Sequence, residues 1–208
     1  TLTESSAQTI DANSPAATTS VTGSTDALKV GDTITLTIAA SETGLTCSAC
    51  TMNGGTLTSF QSAGGNSYSA VYTVVEGQTD RNAAASNFIS IVLADAAGNT
   101  NAAFTTLTES SALVIDANAP AATTSATVAG STAKVGSVIT VTIVASEQSL
   151  TCTGCTMNGV ALASWTNTAT NTYTATYTVV EGNTDRSAGN TPISITLTDA
   201  AGNSNAEF

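Results

Sequence analysis

Apolar and polar side chains alternate strictly along two stretches in the first half of the chain, residues 32–40 and 67–75. A period of two residues predicts half-buried β-strands. The inward faces would carry Ile34, Leu36 and Ile38 in the first stretch and Tyr68, Ala70, Tyr72 and Val74 in the second. No stretch has convincing helical periodicity, so the pattern predicts an all-β protein.

The same pattern returns further along the chain. Residues 10–15 read IDANSP and residues 115–120 read IDANAP, an offset of 105 residues (115 − 10). The equivalent inward faces in the second copy are Ile139, Val141 and Ile143, followed by Tyr173, Ala175, Tyr177 and Val179. Two domains of about 100 residues each, a normal domain size, therefore account for the length of 208 residues.

Turn residues separate the remaining predicted strands. A first strand is expected at 16–20, and Asn53-Gly54 is a strong signal for a tight hairpin. Strands at 88–93 and 193–197 each end at Asp-Ala-Ala-Gly-Asn. Seven short strands in roughly 100 residues are typical of an immunoglobulin-like sandwich. The predicted fold is thus all-β, with two tandem immunoglobulin-like β-sandwich domains in a rod.

Domain boundaries follow from the repeat of one further segment. Residues 1–11, TLTESSAQTID, match residues 106–116, TLTESSALVID, which precede the Pro120 joint. A proline stiffens the joint, because it fixes its own φ and keeps the preceding residue extended. We therefore predict that 106–116 closes the first domain, 12–116. Residues 1–11 are then an orphan closing strand, and the second domain, 117–208, lacks its own.

An incomplete sandwich exposes an edge that is ready for strand addition. Two interpretations stay open. The chain is either a slice of a longer tandem array, or copies assemble head to tail, each lending its first strand to a neighbour. The residues expected to take part in strand donation are Thr1, Leu2, Thr3, Ala7, Thr9 and Ile10.

The net charge of the chain limits the classes of molecule that it could bind. The net charge is −11, with only four basic residues. Nucleic acids and anionic membranes both require clustered Lys and Arg, so neither is expected as a partner. Acidic side chains without bases suit divalent cations such as Ca²⁺, although a net charge also simply favours solubility. No apolar run approaches the ~20 residues that span a bilayer. Without a signal peptide or an initial Met, the chain is expected to be a mature or excised fragment.

Histidine is absent from the sequence. This excludes His-based acid–base catalysis, Ser-His-Asp triads and His metal ligands. No paired carboxylates lie in a plausible cleft, and we do not expect an enzyme.

The acidic residues concentrate where three predicted segments meet. In a seven-strand sandwich, two of the loops between strands lie at the pole where the chain enters, beside the joint. Carboxylate and amide oxygens there match the six to eight oxygen ligands of Ca²⁺. Alternatively, Asp95 and Asp199 only cap a turn. The predicted metal ligands are Asp11, Asn13, Glu42, Asp95 and Asn99 in the first copy, and Asp116, Asn118, Glu147, Asp199 and Asn203 in the second.

The cysteines form two Cys-x-x-Cys pairs, Cys47 with Cys50 and Cys152 with Cys155. The pairs lie on separate domains and have no βαβ context, so neither a shared zinc site nor a thioredoxin-like motif is favoured. We favour one local disulfide per domain over free thiols or metal, which implies an oxidising, extracellular setting.

Three motifs together resemble the bacterial Ig-like repeats of large cell-surface adhesins. They are a strand ending in Ser-Glu, a Gly-Thr-Leu…Tyr-x-Ala-x-Tyr block, and Asp-Ala-Ala-Gly-Asn followed by a strand into Asp-x-x-x-Pro. The resemblance covers both units, although most such repeats lack the Cys-x-x-Cys. It implies extender domains at the cell surface, many of which bind Ca²⁺ between domains.

The predicted function is structural. The chain would be an extracellular repeat unit of a surface fibre or adhesin stalk, joined end to end with further copies or neighbouring repeats through calcium-bound joints. The alternative is an adhesion module that binds a glycan or a host protein.

Overall fold

The computed structural model describes residues 9–22, 27–82, 88–107, 113–128 and 132–206. The chain divides into two compact units, Thr1–Asn118 and Ala119–Phe208. Every strand pairing among these described residues is antiparallel apart from one isolated bridge. The described residues contain strands, turns and irregular segments but no helix.

The first unit is a sandwich of two sheets. One sheet has the order β1-β2-β6-β5 and the other has the order β4-β3-β7. This matches the four-plus-three arrangement of immunoglobulin-like domains. The strands are β1 (Ala17–Thr22), β2 (Thr33–Ala40), β3 (Thr46–Met52), β4 (Gly55–Thr56), β5 (Thr58–Gly64), β6 (Ser67–Thr73) and β7 (Ile89–Ala94).

The core of this unit follows the predicted alternation. On β2, on β6 and at Val74 directly after β6, all seven of the side chains that we expected to point inward are buried. They pack against Cys50, Met52, Ile91 and Leu93 from the facing sheet. The period-two pattern therefore identified the buried face of both strands correctly.

The Asn53-Gly54 hairpin also forms as predicted. Asn53 and Gly54 both have positive φ angles, 49° and 79°, and Met52 pairs with Gly55 across the turn. Two successive positive φ values define the turn that suits the twist of a hairpin. Glycine is needed here because L side chains rarely adopt this conformation.

The second unit repeats the four-stranded sheet, with the order β13-β14-β9-β8, but its facing sheet is broken into β12-β11-β15 and β10-β16. We predicted one strand at 193–197, and the structure has two short ones there. The strands are β8 (Ala122–Val128), β9 (Val138–Ala145), β10 (Thr151–Cys152), β11 (Thr156–Met157), β12 (Val160–Ala161), β13 (Ala163–Ala169), β14 (Thr172–Thr178), β15 (Ile193–Ser194) and β16 (Leu197–Thr198).

The predicted closing strand of the first unit takes a less regular form. Residues 113–117, hereafter the closing segment, pair through isolated bridges from Ile115 to Leu28 (parallel) and to Arg81 (antiparallel). Leu113, Ile115 and Ala117 are buried in the first core. Residues 108–112 lie outside the described residues. The segment therefore closes the unit by inserting side chains rather than by a continuous ladder.

Candidate metal centre

Three carboxylates of the first unit converge at one end of the sandwich. Asp11, Glu42 and Asp95 each offer an oxygen atom, and these atoms all lie within 4.8 Å of one another. Asp11 comes from the entering chain, Glu42 follows β2, and Asp95 follows β7. We call these three residues the acidic cluster. The structure thus brings the joint and the two loops together at this pole, as we predicted.

Asp95 is held by the turn that it opens. Its Oδ1 accepts a hydrogen bond from the backbone N–H of Asn99 at 2.8 Å, and its Oδ2 accepts one from the Asn99 side chain at 2.8 Å. Gly98 makes the turn possible with a φ of 94°. The hydrogen bond from the Asn99 side chain is the main cause that lowers the pKa of Asp95 below its usual range, and backbone N–H groups of the turn add to it. The turn thus favours the ionised carboxylate.

Asn99 also ties this turn to the entering chain. Its side-chain nitrogen lies 3.3 Å from the carbonyl oxygen of Asp11, to which it donates. The backbone N–H of Asn13 donates to Asp11 Oδ1 at 3.2 Å. Asn99 thus positions two acidic residues through its side-chain nitrogen, and a ligand role for its Oδ1 stays a prediction.

Ser41 and Tyr68 position Glu42, a role that we did not predict for either residue. The Ser41 hydroxyl accepts from the backbone N–H of Ala16 at 2.9 Å, and the Ser41 N–H donates back to the Ala16 carbonyl at 3.0 Å. The Tyr68 hydroxyl accepts from the Leu45 N–H at 3.0 Å and donates to the Glu42 carbonyl at 3.3 Å. The repeated Ser-Glu pair was the available signal for Ser41.

The second unit builds the same turn around Asp199. Its Oδ1 accepts from the backbone N–H groups of Gly202 and Asn203 at 2.7 and 2.9 Å, and its Oδ2 accepts from the Asn203 side chain at 2.9 Å. Asp199 and Asn203 are both buried. Carboxylate oxygens of Glu147 and Asp199 lie within 4.8 Å of each other.

Asp116 and Asn118 lie in the first unit, which ends at Asn118. The Asn118 side chain donates to Asp80 Oδ1 at 2.7 Å and to the Gln78 carbonyl at 3.0 Å. The Asp116 Oδ1 accepts from the Asn118 N–H at 3.4 Å. Participation of these two residues in a second cation site stays a prediction.

The loop after β6 connects the hairpin to the closing segment. Arg81 Nε donates to Asn53 Oδ1 at 2.8 Å, and the Asp80 carboxylate accepts from the backbone N–H of Ala117 at 2.8 Å. These polar groups hold the closing segment and the hairpin in place.

A buried tyrosine completes this polar network at the end of β6. The Tyr72 hydroxyl accepts from the Asn53 side chain and donates to Gln78 Oε1. Burial raises the pKa of Tyr72 above its usual range, and the hydrogen bond from Asn53 and the charge of Arg81 offset part of that effect.

Both Cys-x-x-Cys pairs lie at disulfide distance. The Cα atoms of Cys47 and Cys50 are 6.0 Å apart, and those of Cys152 and Cys155 are 5.8 Å apart. The first pair lies on β3, where the ladder to β7 shifts register between Cys47 and Ala49. Paired cysteines fit an oxidising compartment.

A family model described as bacterial Ig-like domain matches residues 11–112. Residues 11–112 are thus similar to a bacterial Ig-like domain. This similarity, together with the cysteine pairs, fits a module of an extracellular surface protein. Bacterial Ig-like domains are typically structural or adhesive rather than enzymatic.

A search of the curated proteins finds no significant match to the chain. Among the described residues, the chain holds no helix that is long and apolar enough to cross a membrane.

Proposed function

We propose that the chain is a structural repeat unit of an extracellular surface fibre or adhesin stalk, and that Ca²⁺ bound at the acidic cluster stiffens the entry of the chain into the first unit. The observation that carries the proposal is the approach of three carboxylates, one from the entering chain and two from loops, to within 4.8 Å. A cation there would join the entering chain to the body of the domain. The second unit would bind Ca²⁺ in the same way through Glu147 and Asp199.

The chemistry of the cluster suits Ca²⁺. Carboxylate oxygens are hard ligands, and Ca²⁺ accepts them in flexible geometries together with carbonyl oxygens and water. Three like charges at this spacing repel one another unless a cation neutralises them. Asp95 favours its ionised form, because hydrogen bonds from the turn lower its pKa. Asp95 would therefore be ionised at neutral pH before a cation binds.

Turn capping alone explains only part of this arrangement. It accounts for the hydrogen bonds from Asn99 to Asp95. It does not account for Glu42, whose carboxylate belongs to a different loop, or for Asp11, which belongs to the entering chain. A shared cation gives one reason for all three positions.

The aromatic side chains favour the structural role over glycan binding. Trp165 stacks on Tyr173 with ring centroids 4.8 Å apart, and its indole N–H donates to the Leu150 carbonyl at 3.1 Å. Phe60 stacks on Tyr68 at 5.1 Å. These rings pack against their own domains, beside the loops that carry Glu42 and Glu147.

The proposal is tested by isothermal titration of Ca²⁺ and by calorimetric melting in Ca²⁺ and in EDTA. A ligand that binds only the folded state stabilises it by about 2.7 kcal/mol at a hundredfold excess over its Kd. We expect Ca²⁺ to raise the Tm of the first unit. The variant Glu42→Gln should bind one Ca²⁺ fewer than the wild type and lose that shift.

A matched control separates the site from general charge effects. Glu76→Gln removes the same charge from an exposed side chain in the loop after β6, and it should retain both the stoichiometry and the Tm shift. If the wild type shows no heat of binding and EDTA leaves its Tm unchanged, the acidic cluster is not a calcium site.

A further inference from the structure

The second unit contains a groove of about 1260 Å³ that lies wholly within it. Its apolar lining comes from the segment before β9, from β9 itself, from the hairpin of β11 and β12, and from the ends of β14 and β15. The apolar side chains of these segments that line the groove include Ala133, Ile139, Met157, Tyr177, Val179 and Ile193.

In the first unit, the closing segment fills the equivalent place. The Leu28 N–H donates to the Val114 carbonyl at 2.9 Å, and Ile115 exchanges two backbone hydrogen bonds with Arg81 at 2.9 and 2.7 Å. At an offset of 105 residues, Leu28 corresponds to Ala133 and Arg81 corresponds to Arg186, and both of these residues line the groove. No described residue of the second unit stands where Ile115 stands in the first.

The exposed fractions of equivalent apolar side chains differ between the two units. Ile34, Val74 and Ile89 in the first unit are each no more than 3% exposed. Their equivalents Ile139, Val179 and Ile193 are only half-buried. The apolar side chains that border the groove therefore lack the cover that the closing segment supplies in the first unit.

The chain also carries a second copy of the sequence that provides this cover. Residues 1–11 repeat 106–116 with two differences, Gln8 for Leu113 and Thr9 for Val114. Thr1, Leu2, Thr3 and Ala7 lie outside the described residues, whereas Thr9 and Ile10 are described and exposed. Ile10 is 89% exposed, although its equivalent Ile115 is 1% exposed. An exposed isoleucine therefore complements an apolar groove at the place where its equivalent is buried in the first unit.

We propose that the groove of the second unit binds residues 8–12 of a second copy of this chain, by addition of an extended segment to the groove. Main-chain hydrogen bonds would give affinity and the inserted side chain would give specificity, as in other cases of strand addition. Ile10 would exchange backbone hydrogen bonds with Arg186 and insert its side chain beside Ile139 and Val179. The proposal deepens the proposed function, since it names the partner and the contact for end-to-end assembly, but it does not require the cation.

The polar partners of the closing segment recur in the groove as well. In the first unit, the Asp80 carboxylate accepts from the Ala117 N–H at 2.8 Å, and the Gly77 N–H donates to the Ala117 carbonyl at 2.9 Å. Asp185 and Gly182 hold the equivalent positions and line the groove. Ala12 of the second copy would take the place of Ala117.

Sedimentation velocity of the whole chain over a wide range of concentrations tests the proposal. The wild type should associate as concentration rises. Ile10→Glu should weaken association at least about tenfold, because it replaces the inserted side chain with a charge. Val144→Glu is the matched control, since Val144 is a 51% exposed side chain on β9 outside the groove, and it should associate like the wild type.

A substitution that should increase the affinity between copies provides a second test. Leu113 is 4% exposed, so Gln8→Leu should add a buried apolar side chain and tighten association by about tenfold. A synthetic peptide of residues 1–12 should compete with assembly and should slow hydrogen exchange of the Arg186 amide. The same peptide with Glu in place of Ile10 should do neither.

The outcomes are distinguishable from those of the calcium proposal. Ile10→Glu should lose assembly but keep the calcium response of the first unit, and Glu42→Gln should do the reverse. The proposal is overturned if the wild type stays monomeric at every concentration. It is also overturned if the peptide binds but Ile10→Glu associates as the wild type does, since another contact then joins the copies.

Discussion

Asp95 serves a turn and a charged cluster with the same carboxylate. Asn99 donates to it from both its backbone and its side chain, and these bonds lower its pKa. The remaining lone pairs of the carboxylate are then available to a ligand approaching from the side of Asp11 and Glu42. The turn thereby prepares an ionised acid before any cation arrives.

Acid titration tests the state of Asp95 in the calcium-free protein. The folded pKa is lowered, so the unfolded state binds more protons in this range, and the stability contributed by the carboxylate is complete above the ordinary pKa of Asp. It is lost as the pH falls through the lowered, folded value. Urea denaturation in EDTA should therefore show Asp95→Ala less stable than the wild type at neutral pH, with the difference shrinking as the solution is acidified through that window.

Asn99→Ala is the informative companion variant, because the Asn99 side chain is the largest cause of the lowered pKa. It should reproduce part of the loss at neutral pH. A stability difference between Asp95→Ala and the wild type that stays constant down to acid pH would contradict the assignment.

At the scale of elements, the closing segment completes the first unit although it forms no continuous ladder. Ile115 is 1% exposed and bridges to residues on either side of it, Leu28 and Arg81. Burial of this kind contributes through removal of apolar area from water, about 25 cal/mol for each Å². Strand regularity is therefore a poor measure of how much a segment stabilises the domain.

Paired substitutions test this point. Ile115→Ala should destabilise the first unit by about 2–5 kcal/mol, the usual range for a large-to-small change in a core. Ile10→Ala makes the same chemical change at an exposed equivalent and should stay within about 0.5 kcal/mol in dilute, unassembled protein. Denaturant unfolding of both variants decides the question, and equal effects would mean that Ile115 is not closing the core.

At the scale of the whole molecule, two units of closely similar sequence differ in how completely they are closed. The first contains its closing segment, and its core includes Leu113, Ile115 and Ala117. The second has half-buried side chains at equivalent positions around a groove. Similarity of sequence therefore does not mean equal burial of equivalent side chains in the two units.

Fluorescence can follow the second unit alone, because Trp165 is the single tryptophan of the chain. We expect its unfolding in dilute protein to occur at a lower temperature than that of the first unit. Its Tm should rise with protein concentration, since a partner that binds only the folded state stabilises it by mass action. Ile10→Glu should abolish this concentration dependence. A Tm that is independent of concentration in the wild type would contradict assembly through the groove.

Much of the fold could be predicted locally. The alternation at 32–40 and 67–75 identified two buried faces, and the Asn-Gly pair identified a hairpin, because strand pleat and turn geometry are properties of neighbouring residues. The repeat of 105 residues indicated two units, because the same local patterns recur at that spacing. What failed was the single strand at 193–197, since pairing with a partner strand decides whether a short run stays continuous.

The sequence by itself determined which residues could form strands, which turn residues were needed and which acids follow each strand. Only the tertiary structure decided that Asp11, Glu42 and Asp95 approach within 4.8 Å, that Tyr68 and Ser41 hold the loop of Glu42, and that Ile115 is buried whereas Ile10 is exposed. The physical reason is the separation along the chain over which each effect acts. Periodicity and turn chemistry act over a few residues, whereas the approach of side chains from residues 11, 42 and 95 depends on strand pairing across the whole domain.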